Sequence, residues 1–291
     1  HTDLGFLYDG VKTRDELPLI LGHEVSGIVR ATAPGCEHLL NQAVVVPAVI
    51  PCESCSSCLS GRPMICPSQV MPGNDRDGGF ASHLVVPARC VCPVPGVADE
   101  GDDIFQRSGI TLAHLSVVAD AVSTPYQALV RAELKAGDLC VVVGLGGVGG
   151  FAAQLASALG AHVVGLDISP QRLARAEQLG VGLSLDPSDR QARDIRKQIK
   201  DHAKQVGAPT TGWVILECSG TAAGQDLAYG LLVHGATLCV VGFTRDKVHL
   251  RLSNLMAFDA RALGNWGCAP ALYPDIVRMV LDGRIDLVDQ V

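Results

Sequence analysis

Two textures of apolar and polar positions divide the chain. Up to about residue 120, short β-branched runs such as Ala43–Val46 and His83–Val86 are separated by turn signals at Pro34-Gly35, Pro72-Gly73-Asn74 and Gly78-Gly79. That pattern predicts a mostly β region with long loops. From about Pro125 onward, apolar runs of strand length alternate with helical patterns, the signature of a parallel α/β sheet. Strands are predicted at Val141–Val143, His162–Leu166, Trp213–Leu216, Ala236–Val241 and Ala262–Asn265. Three β-branched residues in a row leave no polar face, so Val141–Val143 reads as a buried parallel strand. Phe151–Leu159 is small and apolar and suits a helix packed on a sheet. Ser169-Pro170 followed by Gln171–Leu179 and Gly180 reads as one helix, with a cap, a proline in its first turn and a glycine past its end. The tail after Pro270 is helical, and no internal repeat appears.

The turn after Val143 organises the second half. Gly144-Leu145-Gly146-Gly147-Val148-Gly149 contains G-x-G-x-x-G between a predicted strand and a predicted helix. Gly144 permits a tight turn, Gly146 lets a pyrophosphate approach the backbone, and Gly149 lets helix and strand pack closely. Free N–H groups at the helix start then hold the phosphates. The strand His162–Leu166 ends in Asp167, 23 residues beyond Gly144. An acid there holds both ribose hydroxyls and repels a 2′-phosphate, which favours NAD over NADP. A doubly wound fold without a cofactor is the bland alternative.

Composition narrows the picture. Hydrophobic residues make up 48% of the 291 and charged residues 18%, which describes a globular chain of one large or two medium domains. The net charge of −7, with no basic run to set against it, gives no support to nucleic-acid binding. No stretch of 18 uninterrupted apolar residues and no signal peptide is visible, so we expect no membrane insertion and a cytoplasmic protein. The chain does not begin with Met, and we expect its natural N-terminus to lie upstream.

Eleven cysteines fall into two groups. Cys52, Cys55, Cys58 and Cys66 are spaced C-x2-C-x2-C-x7-C, and four thiolates on one loop can close a tetrahedron around a structural zinc. Such a site contributes on the order of 10 kcal/mol to ordering its lobe. An iron–sulfur cluster is the rival occupant. Cys36, Cys90, Cys92, Cys140, Cys218, Cys239 and Cys268 are scattered, and we expect reduced thiols there. His23 and Glu24 sit together between Gly22 and Gly27, in a turn able to present imidazole and carboxylate side by side. Asp120 is an acid inside an apolar stretch, where an unpaired charge costs several kcal/mol; metal binding and helix capping both explain it.

These features together resemble the zinc-dependent medium-chain alcohol dehydrogenases over essentially the whole chain. The resemblance rests on Gly22–Gly27 with Ala33 and Cys36, the four-cysteine lobe, the Gly144–Gly149 turn and Asp167. It implies a GroES-like catalytic domain over 1–122 with its zinc lobe at 52–66. A Rossmann NAD-binding domain over 123–268 and a return to the catalytic domain from 269 to 291 complete the expected architecture. It implies NAD and two zincs, one catalytic and one structural. His23 matches a ligand of the catalytic zinc, and Asp120 falls where members place a Cys or Asp ligand. Glu24 matches an acid that can swap in as a transient ligand. The first ligand, a Cys, would precede His1. Asp3 matches the carboxylate that orients the ligand His, Thr2 the hydroxyl that takes the substrate's proton, and His1 a residue near the cofactor phosphates. Arg172, five residues after Asp167, matches a basic residue at the adenosine ribose. Gly5 stands where many members carry the histidine that ends the proton relay, so the proton leaves by another route. A homodimer or homotetramer is expected by the same resemblance.

Four further stretches, Val70–Arg89, Ala119–Leu129, Glu217–Gln225 and Asn254–Cys268, resemble the members that act on 6-hydroxycyclohex-1-ene-1-carbonyl-CoA in anaerobic aromatic catabolism. The expected substrate is therefore an alicyclic hydroxyacyl-CoA. A zinc alcohol dehydrogenase for another secondary or cyclic alcohol is the nearest alternative. A non-catalytic zinc- and NAD-binding protein is the remote one.

Overall fold

The computed structural model describes residues 2–97 and 110–288. A helix at Thr2–Tyr8 leads into a three-stranded antiparallel sheet of β1 (Val25–Ile28), β2 (Ala43–Val46) and β3 (Cys92–Pro93). All four residues of β2 are buried, because this central strand is covered on both faces. Loops and single helical turns dominate the rest of this half. His83–Val86 is not a strand: Val85 is 82% exposed, and among the described residues no strand supplies it with a hydrogen-bonded ladder.

The second half is a six-stranded sheet of β4 (Leu139–Val143), β5 (His162–Leu166), β6 (Val181–Leu185), β7 (Val214–Glu217), β8 (Thr237–Val240) and β9 (Arg261–Gly264). The strands run parallel in the order β6-β5-β4-β7-β8-β9. Chain order thus reverses at β4, as in the doubly wound dinucleotide-binding fold. β4 is buried along its whole length, and its side chains alternate between two cores. Cys140 and Val142 point into one, and Leu139, Val141 and Val143 into the other, the period of two that a pleated strand imposes. The segment after Ser169 is not one helix. Ser169 caps Pro170–Ala174, which gives way to a tighter turn at Ala176–Leu179 before Gly180 ends it with φ of 77°.

The core on the Cys140 side does not stop at the sheet. It continues through Leu112–Ala119 and the helix Ser123–Arg131 to Ala43, Val45 and Val94 of the antiparallel half. Polar bonds pin the same junction. The Gln127 amide donates to Gly267 O at 2.9 Å and accepts from Ala269 N at 2.8 Å. The Tyr273 hydroxyl, fully buried, donates to Ala119 O at 2.5 Å. Among the described residues, no helix is long and apolar enough to cross a membrane.

Candidate functional site

The first part of the site is the crevice at the carboxyl ends of β4 and β7, where the strand order reverses. Gly144 has φ of +89°, and a Cβ there would lie 2.7 Å from Ser219 Cα, so both the backbone shape and the neighbouring turn demand glycine. A Cβ on Gly149 would collide with the Gly144 carbonyl oxygen. At Gly146 the result differs: the nearest atoms to an added Cβ belong to the Arg172 guanidinium, 3.7–3.8 Å away. That open space, backed by a cation, is what a pyrophosphate needs. Gly147 and Val148 start the helix Gly147–Ala158, whose first N–H groups lack intrahelical partners.

Asp167 closes the crevice from β5. It is 5% exposed; Oδ2 accepts from Leu145 N at 2.7 Å and Oδ1 from Ser169 N at 2.8 Å. Arg172 Nη1 lies 3.4 Å from Oδ2. Each oxygen retains acceptor capacity for a ribose hydroxyl. These groups fit a dinucleotide.

The second part lies at the edge of the antiparallel half. His23 is buried and sits between two carboxylates. Asp3 Oδ2 is 3.1 Å from Nδ1, and Asp120 Oδ2 is 3.3 Å from Nε2. Asp3 is itself fixed, because its Oδ1 accepts from Gly22 N at 2.9 Å. Burial pushes the His23 pKa down, but Asp120 and Asp3 outweigh it and raise it to about 10. Burial likewise pushes Asp3 and Asp120 up, and contact with His23 brings both below the ordinary carboxylate range. In the absence of a metal the two flanking carboxylates favour the protonated imidazole. A tetrahedral zinc with ligand bonds of about 2.0–2.1 Å spans ligand atoms about 3.4 Å apart. The Nε2–Oδ2 separation matches that edge, and Asp3 stands behind Nδ1 where an orienting carboxylate belongs.

Glu24 takes a different position. Its Oε1 accepts from Ala121 N at 2.9 Å, which ties it to the backbone beside Asp120. Burial raises its pKa, and the Asp120 charge adds to the rise. Thr2 is exposed at the first turn of the helix that carries Asp3. His1 lies outside the described residues.

The third part is the cysteine lobe. The Sγ atoms of Cys52, Cys55, Cys58 and Cys66 all lie within 4.8 Å of one another, with Cys55–Cys58 at 3.5 Å and Cys55–Cys66 at 3.8 Å. A zinc tetrathiolate with bonds of about 2.3 Å has edges of about 3.8 Å. Backbone N–H groups already point at the sulfurs, from Cys52 to Cys66 and from Cys55 to Cys52, each at 3.4 Å. Hydrogen bonds from Ser54, Cys55 N and the Cys66 thiol lower the Cys52 thiol to about 6, while burial and the neighbouring thiols push Cys58 up to about 12. Zinc would displace all the thiol protons at once. Among the described residues this is the one group of three or more such ligand atoms gathered so closely. His23 and Asp120 are brought together as a pair, while Glu24 is bonded to the Ala121 backbone next to Asp120. All eleven cysteines are free thiols in the structure.

Two residues at these sites were not foreseen. Thr124 Oγ1 donates to Asp120 Oδ1 at 2.5 Å, leaving Oδ2 to face His23. Its position four residues after Asp120, at a helix start, was the available signal. Glu217, fully buried at the end of β7, accepts through Oε1 from Ser219 N, Ser219 Oγ and Gly220 N, while Oε2 has no partner. An acid closing the apolar run Trp213–Leu216 was the signal there.

Comparison with known proteins supplies the lineage. Residues 1–96 match the alcohol dehydrogenase GroES-like domain and residues 147–282 the zinc-binding dehydrogenase domain. An alcohol dehydrogenase of Geobacillus stearothermophilus is 26% identical over 100% of this chain and 81% of its own length. The uncharacterized zinc-type alcohol dehydrogenase-like protein YphC of Escherichia coli is 32% identical over 85% of this chain, which spans 66% of YphC. Galactitol-1-phosphate dehydrogenase from Escherichia coli superposes with a TM-score of 0.86 over 99% of this chain and 80% of that one; at 24% identity it speaks to the fold alone. The chain belongs to the zinc-dependent medium-chain alcohol dehydrogenases, a family of CH–OH oxidoreductases that use zinc and a nicotinamide dinucleotide.

Proposed function

We propose that this protein oxidises the secondary alcohol of 6-hydroxycyclohex-1-ene-1-carbonyl-CoA to the 6-oxo thioester, with NAD as acceptor. The observation that carries the chemistry is the His23–Asp120 edge of 3.3 Å with Asp3 behind it. The four sequence stretches that resemble hydroxyacyl-CoA dehydrogenases support the substrate. His23 and Asp120 would hold the catalytic zinc, and the Gly144–Gly149 turn with Asp167 and Arg172 would hold NAD. When bound, zinc supplies a Lewis acid that eases loss of the hydroxyl proton, and NAD supplies the hydride acceptor.

The chain's own residues do the rest. Asp3 holds the imidazole so that Nε2 faces Asp120, and Thr124 keeps one Asp120 oxygen turned the same way. The Thr2 hydroxyl takes the alcohol proton and, with Gly5 in place of a relay histidine, passes it to solvent at its exposed position. The reaction balances as CH–OH and NAD⁺ giving C=O, NADH and a proton. The substrate hydroxyl is β to the thioester carbonyl, so the product is a conjugated β-keto thioester. On the same reading the enzyme works in the cytoplasm.

A polyol is the second reading. Relatives named L-galactonate-5-dehydrogenase, galactitol 1-phosphate 5-dehydrogenase and sorbitol dehydrogenase match 86–92% of this chain at 24–28% identity. The deciding experiment follows NADH absorbance with the CoA thioester, its free acid, simple cyclohexanols and polyols. Rapid reduction with the thioester alone is the expected result. Turnover of polyols alone keeps the chemistry and overturns the substrate.

A further inference from the structure

The segment after β8 leaves the crevice directly. A Cβ on Gly220 would lie 2.9 Å from Phe243 O, so the Phe243 backbone borders the Ser219–Gly220 turn at the switch point. Two residues on, Arg245 Nη1 donates to Asp9 O, which joins the cofactor-side segment to the chain that follows the Asp3 helix. The next residues read Asp246-Lys247-Val248-His249-Leu250-Arg251. Val248 and Leu250 are half-buried, Leu250 against the core on the Val141 side, and Lys247, His249 and Arg251 are exposed. The Tyr229 hydroxyl anchors the far end by donating to Arg251 O at 2.8 Å. Among the described residues neither Lys247 nor His249 has an ion-pair partner, and the Arg251 side chain bonds Ser253 Oγ at 3.2 Å. On the facing segment Lys12 is exposed two residues beyond Gly10, where an added Cβ would lie 3.6 Å from Arg245 Nη1. In a chain of net charge −7, Lys12, Arg245, Lys247 and Arg251 thus outnumber the exposed acids Asp9 and Asp246 where two segments meet.

We propose that Lys247 and Arg251, with His249 between them, bind the phosphate groups of the substrate's tail, and that Arg245 marks where the tail leaves the cleft. This rests on the hydroxyacyl-CoA reading, because a CoA thioester must lead a long, multiply charged tail away from the reacting carbon. From Arg245 to Arg251 the backbone spans at most roughly 20 Å, a length that suits such a tail. The three outward side chains are fixed in register by their inward neighbours. Each exposed contact is modest and screened by salt, so the strip acts through several together.

The test uses the zinc-loaded enzyme with NAD saturating, so that the adenosine of CoA cannot occupy the cofactor site. In Lys247→Glu/Arg251→Glu the KM for the thioester should rise about tenfold with kcat within about twofold. The wild-type KM should rise with salt and the variant's should not. Lys197→Glu, exposed on the helix Ala192–Val206, is the charge control and should change neither. An unchanged thioester KM in the double variant overturns the strip and leaves the substrate reading intact. If the wild type rejects the thioester but oxidises a phosphorylated polyol, a raised KM for it in the variant keeps a phosphate site and overturns only CoA. An unchanged KM there overturns both, as does turnover confined to uncharged alcohols.

Discussion

The cysteine lobe and the His23 centre are built on opposite plans. The lobe draws all its ligands from Cys52 to Cys66, and neighbouring backbone N–H groups complete it. At the other centre His23 meets Asp3 from the opening helix and Asp120 from 97 residues downstream, while Glu24 hangs on the backbone of Ala121. A local site is set by spacing, and a distant one exists only when the fold brings its members together. The first is written in the chain; the second is written in the packing of Leu112–Ala119 against β1 and β2.

Substitutions at the two centres test how separate they are. His23→Ala should lower turnover by about 10³-fold or more while leaving one zinc per chain on the cysteines. Metal analysis beside steady-state rates reads this, and loss of all zinc together would mean that the centres are coupled. Cys66→Ser, at a sulfur 1% exposed, should release the lobe zinc and cost at least about 3 kcal/mol of stability. A denaturation midpoint checks it, with cobalt substitution reporting whether His23 and Asp120 still take a metal.

Asp167 is an intermediate case, reaching back 22 residues to Leu145 N. Asp167→Ala should weaken NAD and shift the NAD/NADP preference by about 10- to 100-fold toward NADP. Unchanged preference in initial rates would assign the ribose to another group.

The smallest effect concerns Glu217. Burial raises its folded pKa above the ordinary 4.5, against the hydrogen bonds from Ser219 and Gly220. The folded state then binds more protons, so this contribution is full below about pH 4.5 and is lost as pH rises through the raised value. Glu217→Gln should flatten that fall and raise the melting temperature at neutral pH by about 2–4 °C. An identical pH profile in both proteins would show that the carboxyl ionises freely.

Short-range signals were legible in the sequence. The glycine turn, Asp167, the cysteine spacing and the strands β4, β5, β7, β8 and β9 each follow from residues within one supersecondary unit. What escaped depends on distance. The apolar run Leu84-Val85-Val86 looked like strand, but a strand needs a partner, and Val85 faces solvent instead. The helix Ala192–Val206 is largely charged and betrays itself only through Ile195, Ile199 and Ala203 on one face. Thr124 and Glu217 are ordinary residues until Asp120 and the Ser219–Gly220 turn are placed beside them.

The local plan of the lobe also sets a timetable. During synthesis, every lobe ligand is available once Cys66 has left the ribosome, before any strand of the parallel sheet exists. His23 must wait 97 residues for Asp120, and the helix that fixes Asp120 through Thr124 follows later still. The four thiols of the lobe can therefore be gathered before the pair His23–Asp120 exists at all.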